Sequence, residues 1–165
     1  MSQSKPKKLD GEDARDPARI RALAVKLLAR REHSTQELTA KLATRGYEPH
    51  AVAAVIEALA ARNLLSDARF VEEFVASRAR RGSGPVKIRD ELRRRGVDET
   101  LVETMLVEYQ NQWLANASAT RRKRFGSALP EDFAERARQA RFLQQRGFSA
   151  EQIRQVLKGD IELEN

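Results

Sequence analysis

The sequence predicts an all-α protein assembled from tandem three-helix, helix-turn-helix-like repeats. Three observations carry that expectation. From Pro17 onward the apolar residues recur at helical spacing, β-branched residues nowhere alternate as they would in a strand, and an Arg-Gly mark returns at a nearly constant interval.

Residues 1–16 (MSQSKPKKLDGEDARD) are polar, mixed in charge and poor in large apolar groups. They offer too little burial to offset the entropy of ordering, so they are expected to form a disordered arm. Pro17 suits a first helical turn, where its missing N–H would have had no partner. Ile20, Leu23, Ala24, Leu27 and Leu28 then make one apolar stripe on an N-terminal helix within 17–33. Ser34-Thr35-Gln36-Glu37 has the form of a capping box, opening a helix with Leu38 and Leu42 inward. Arg45-Gly46 ends that helix, and Pro49 starts another carrying Val52, Val55, Ile56 and Leu59. Asp67 is placed to cap a helix over 67–81 that bears Phe70, Val71, Phe74 and Val75.

The repeat emerges when glycines serve as register marks. Arg45-Gly46-Tyr47, Arg95-Gly96-Val97 and Arg146-Gly147-Phe148 are spaced by 50 and then 51 residues. Four residues before each Gly stands Leu42, Leu92 or Leu143; six after stands Val52, Val102 or Ile153. Nine and ten after come Val55-Ile56, Met105-Leu106 and Val156-Leu157. Eight before, the match weakens, with Leu38 and Ile88 but Gln139. After each mark a new helix opens, with Asp98 and Ser149 as good caps and Glu48 as a poor one. These marks divide the chain into repeat 1 (34–82), repeat 2 (83–127, with its last helix over about 112–125) and a truncated repeat 3 (128–159). An acidic tail, 160–165, comes last.

Composition narrows the function classes. The 165 residues hold 31 Lys plus Arg against 24 Asp plus Glu, a formal charge of +7, with no Cys and two His. That rules out thiol catalysis, thiolate zinc sites and a disulfide framework. No apolar run is long enough to span a membrane and no signal-peptide core is present, so a cytoplasmic location is expected. Enzyme chemistry finds little support. Gly82-Ser83-Gly84 has no following Gly-Lys-Ser/Thr and reads as a flexible turn before Pro85. Glu72-Glu73 and Asp90-Glu91 are adjacent, and neighbouring helical positions do not face each other. No catalytic, metal or cofactor-binding residues are assigned.

Several stretches resemble the RecX family of recombination regulators. Residues 22–42 (ALAVKLLARREHSTQELTAKL) are similar to its opening helix and first repeat. Leu65-Ser66-Asp67-Ala68-Arg69-Phe70-Val71-Glu72-Glu73-Phe74-Val75 resembles its L-x-D-x-x-F-(A/V)-x-x-(F/Y) segment. Gly84-Pro85-Val86-Lys87-Ile88-Arg89-Asp90-Glu91-Leu92-Arg93-Arg94-Arg95-Gly96-Val97 is similar to its G-x-x-K-I-x-x-E-L block, and 142–157 (FLQQRGFSAEQIRQVL) to its closing repeat. Asn63-Leu64-Leu65-Ser66-Asp67 departs from the usual G-Y-L-D-D. The resemblance spans roughly 19–158. It implies an elongated, curved array of three-helix repeats with a non-enzymatic, cofactor-free role in DNA repair, recombination and the SOS response. It further implies binding in the groove of the RecA–single-stranded-DNA filament, bridging protomers and suppressing ATPase, strand-exchange and coprotease activity. A monomer is expected, with direct contact to single- and double-stranded DNA as a further expectation. Two alternatives stay open: a sequence-nonspecific DNA-binding helix-turn-helix array and a scaffold that binds only protein. A sequence-specific reader is disfavoured, because the relevant helix starts (Pro49-His50-Ala51, Glu99-Thr100-Leu101, Ala150-Glu151-Gln152) offer few base-reading side chains.

Charge is concentrated. Residues 78–95 net +6 and Arg121-Arg122-Lys123-Arg124 add +4, so the rest of the chain nets −3. Arg45, Arg95 and Arg146 each precede a helix-ending Gly, where a cation complements the helix dipole, and are read as structural. Helical-wheel placement then leaves Lys87, Arg89, Arg93, Arg94, Arg122 and Lys123 as the expected filament or nucleic-acid contacts. Trp113 is read as a packing anchor.

Overall fold

The computed structural model describes Leu9 and residues 11–158; the remainder of the expected arm and the acidic tail lie outside the described residues. Among those described, every regular element is helical: α1 (Pro17–Leu28), α2 (Thr35–Thr44), α3 (Pro49–Ala61), α4 (Asp67–Arg80), α5 (Pro85–Arg94), α6 (Glu99–Glu108), α7 (Gln110–Phe125), α8 (Phe133–Gln145) and α9 (Ala150–Lys158). Residues 11–16, placed with the arm by composition, carry a 3₁₀ turn at Asp13–Arg15. Contacts with Glu48, more than thirty residues later in the chain, hold that turn in place. Ala14 is buried, its carbonyl accepts the Glu48 N–H at 2.9 Å, and Arg15 pairs with the Glu48 carboxylate at 2.8 Å.

Local chemistry explains the helix starts. Asp16 accepts from the Ala18 N–H at 2.9 Å ahead of Pro17, and Asp98 and Asp132 accept from the N–H groups of Leu101 and Glu135 at 3.0 and 2.7 Å. Only half of the expected capping box forms. Ser34 Oγ accepts the Glu37 N–H at 3.1 Å, but the Glu37 carboxylate turns to Arg31, at 2.6 Å. Asp67 does not cap its own helix. Ser66 Oγ takes that role towards Arg69 N–H at 3.3 Å, while the Asp67 carboxylate accepts the Thr35 N–H, the first donor of α2, at 2.7 Å. A carboxylate close to two helix starts satisfies whichever donor tertiary packing leaves orphaned.

The chain forms two compact units, one running to Val71 and taking in Arg95–Val97, the other comprising Glu72–Arg94 and the chain from Asp98. In the first, α1, α2 and α3 enclose Ile20, Ala24, Leu38, Leu42, Val52, Val55, Ile56, Leu59 and Leu65. In the second, α7, α8 and α9 enclose Ala117, Leu143, Phe148, Ile153, Val156 and Leu157. The shared cores therefore group helices one element earlier than the blocks 34–82, 83–127 and 128–159. Gly46 and Gly147 each lie inside such a three-helix group, and the last group, counted from α7, has all three helices. Trp113 is the expected anchor: it is buried and its indole N–H donates to the Leu106 carbonyl at 3.2 Å.

Gly82-Ser83-Gly84 is more than a flexible turn. Gly84 N–H donates to the Arg146 carbonyl at 2.7 Å and Val86 N–H to the Gly147 carbonyl at 2.9 Å. The turn after α8 thus accepts hydrogen bonds from donors at the start of α5 that have no partner within the helix. A Cβ on Gly84 would fall 2.4 Å from the Gly147 carbonyl, so the close approach demands glycine there.

His33, 3% exposed, donates Nδ1–H to the Arg31 carbonyl at 3.0 Å. Burial disfavours the imidazolium and outweighs the hydrogen bond to the Arg31 carbonyl, which favours it, so its pKa lies below the ordinary 6.5. As pH falls through 6.5 the unfolded chain takes up the proton more readily than the folded one, so this group's share of stability declines on acidification. The melting temperature is expected to drop between pH 7.5 and 5.5, and His33→Gln to remove part of that drop. An identical drop in wild type and variant would exclude His33 as a contributor.

Candidate polyanion interface

The six cations expected to form one contact set are divided by the structure. Lys87, Arg93, Arg94, Arg122 and Lys123 are exposed; Arg89 is half-buried. Arg89 makes a two-point pair with Glu103, one contact of which, Nη2 to Oε2, is 2.9 Å, tying α5 to α6. The hydrogen bond from Arg89 holds the Glu103 carboxyl below its ordinary pKa, and the same bond raises Arg89. Both side chains remain about two-fifths exposed, so solvent screening limits the pair to about 0.2–1 kcal/mol. Arg93 donates to Asp90 at 3.0 Å. Lys87 and Arg94 share a recess of about 290 Å³, but with Asp90 and Glu91 among its lining residues. The α5 surface is therefore a mixed one, with much of its charge answered by neighbouring acids.

Lys123 belongs to a different place. A groove of about 400 Å³ lies between the end of α4, the outer face of α7 and the end of α8, lined by Arg80, Arg81, Lys123, Arg124 and Arg146 with no carboxylate. Arg80, Arg81 and Arg124 are not among the expected contacts, and Arg146 is expected to play a purely structural part. Arg146 does have structural ties: it donates to the Arg81 carbonyl at 3.4 Å and its guanidinium lies 5.3 Å from the centre of the Phe142 ring. Those ties also hold it at the groove wall. Phe142 packs edge-on against Phe125 at 5.2 Å, and Arg138 lies 5.1 Å from the Phe125 ring. Periodicity could not have assembled this set, because its members come from three helix ends far apart in the chain, Arg81 and Arg146 alone being 65 residues apart.

The order of these helices matches one known arrangement. Models described as "RecX, first three-helix domain", "RecX, second three-helix domain" and "RecX, third three-helix domain" match residues 21–59, 66–106 and 110–157 in sequence. The chain belongs to the RecX family. The matched spans follow the grouping α1–α3, α4–α6 and α7–α9. Among similar proteins, Regulatory protein RecX of Halorhodospira halophila (strain DSM 244 / SL1) is 51% identical over 135 residues, covering 82% of this chain and 84% of the relative. Regulatory protein RecX of Pseudomonas fluorescens (strain SBW25) is 45% identical over 140 residues, covering 85% and 90%. The fold is shared with the crystal structure of RecX from Lactobacillus salivarius, at a TM-score of 0.75 and 18% identity, over 86% of this chain and 94% of that one. A second structure, of a regulatory protein RecX, gives a TM-score of 0.74 at 19% identity. No helix among the described residues is long and apolar enough to cross a membrane.

Proposed function

We propose that this chain is a non-enzymatic, cytoplasmic regulator of RecA. It binds the RecA–single-stranded-DNA filament as a monomer and suppresses ATP hydrolysis, strand exchange and coprotease activity, thereby tempering recombination, DNA repair and the SOS response. The observation that carries this reading is the ordered match of three RecX domains across the described helices. Relatives matched over most of their length are named regulatory proteins. Exposed cations on α5 and α7 supply surface for a polyanionic partner: Lys87, Arg93, Arg94, Arg122 and Lys123, with Arg89 held beside them by Glu103. The helix starts after the glycine marks support regulation through the filament over sequence-specific reading of DNA. Asp98 is engaged in capping α6, and Pro49 and Ala150 open α3 and α9.

Charge reversal tests the surface. In the full chain, Arg93→Glu with Arg94→Glu is expected to weaken co-sedimentation with RecA–DNA filaments by about tenfold, the effect of losing about 1.4 kcal/mol. Helical content by circular dichroism should stay unchanged. Undiminished co-sedimentation of the double variant would remove α5 from the contact surface.

A further inference from the structure

We propose that the groove between the ends of α4, α7 and α8 is a binding site for the sugar-phosphate backbone of single-stranded nucleic acid, gripped by Arg80, Arg81, Lys123, Arg124 and Arg146. The inference deepens the filament reading and rests on it for where the strand is met, but the binding itself needs no RecA.

Two features set this groove apart from the rest of the surface. First, it gathers five cations and no carboxylate. Several arginines elsewhere are answered by acids: Arg15 by Glu48, Arg69 by Glu32, Arg78 by Glu91, Arg154 by Glu151. Among the described residues no ion pair is formed by Arg80, Arg81, Lys123 or Arg124. Each sits in or just past the last turn of a helix, where a cation is individually favourable. Convergence of three such ends on one recess is not required by that, and the mutual repulsion it creates costs stability unless an anion relieves it. Second, part of the groove is preorganised. Arg146 is fixed between the Phe142 ring and the Arg81 carbonyl, so it is already ordered when an anion arrives.

The lining also selects among anions. Phe142 offers aromatic surface, and Asn116 and Thr120 on α7 add amide and hydroxyl groups beside the cations. That combination suits a nucleotide chain, whose phosphates meet the arginines while sugar and base edges meet ring and amide. An acidic peptide would use only the cations. A recess walled from three helix ends favours a strand that can bend into it over a duplex whose phosphates are carried on a stiff rod.

The test is fluorescence anisotropy with the full-length chain and a fluorescein-labelled oligothymidylate, without RecA, across a salt series. Engagement of five phosphates predicts a log–log salt slope of about −3.5. Arg81→Glu with Arg124→Glu should weaken binding by at least about tenfold and make the slope shallower by about 1.4, whereas Arg136→Glu, exposed on α8 outside the groove, should change it less than about twofold. If the charge-reversed pair loses helical content, Arg80→Gln with Lys123→Gln replaces it. Equal weakening by Arg93→Glu with Arg94→Glu, no weakening by either groove pair, or displacement of the strand by polyglutamate as readily as by unlabelled oligothymidylate would each overturn the assignment. A wild-type chain that binds the oligonucleotide yet leaves RecA uninhibited would overturn the filament reading and leave the groove standing.

Discussion

Gly147→Ala is expected to destabilise the protein by about 3 kcal/mol or more, which for a chain of this size lowers the melting temperature by roughly 6–12 °C. Two costs combine. Gly147 has φ +88°, a left-handed conformation that costs an L-residue about 1–2 kcal/mol. Its Cβ would also stand 2.3 Å from Lys87 Cβ and 2.6 Å from the Lys87 backbone nitrogen, so the turn must retreat from α5. Retreat breaks the bonds from Gly84 N–H and Val86 N–H, and an orphaned donor costs about 1–3 kcal/mol. Gly46→Ala separates the two costs. Gly46 has a similar φ of +91°, but a Cβ there meets nothing nearer than 3.8 Å. Thermal melts followed by circular dichroism should place Gly147→Ala well below Gly46→Ala. Equal losses would mean that the docking of the α8–α9 turn on α5 adds nothing.

Arg121→Ala should rank next, at about 3 kcal/mol in urea unfolding, with Arg121→Met losing less. Arg121 is 1% exposed and no carboxylate is among its hydrogen-bond partners. Its guanidinium donates to the carbonyls of Ala128 and Ser127 at 2.9 and 3.1 Å and to Gln139 Oε1 at 3.2 Å, clamping the α7–α8 connection against α8. Alanine leaves a cavity and an unanswered buried amide; methionine fills most of the volume but leaves the amide oxygen unpaired. Amide exchange in residues 127–129 should quicken in both variants. If Arg121→Met matches wild type in stability and exchange, the guanidinium does not hold that connection.

Arg121 also shows where the sequence could and could not be read. The three Arg-Gly marks located the turns, because a left-handed glycine after an amphipathic stripe ends a helix in any context, and Gly46, Gly96 and Gly147 all have positive φ. Leu42, Leu92 and Leu143 are fully buried, as their shared register implied. Gln139 broke that register, and its reason lies across the fold: it occupies a core position so that Arg121 has an acceptor, while its own amide donates to Glu135 at 2.9 Å. Asp67 and Glu37 were legible as capping residues but not in their partners, since each answers a group brought near only by packing. The same limit applied to the candidate interface. Wheel geometry sorted cations along single helices, so it could not see that the ends of α4, α7 and α8 converge. It also could not see that Glu103 would claim Arg89.

Regulation of RecA by occupancy of its filament is tested by the rate of ATP hydrolysis by RecA on single-stranded DNA with this protein at equimolar concentration. Hydrolysis is expected to fall as the protein is titrated in, and strand exchange to fall with it. Hydrolysis and strand exchange that both continue at the rate seen without the protein would contradict it.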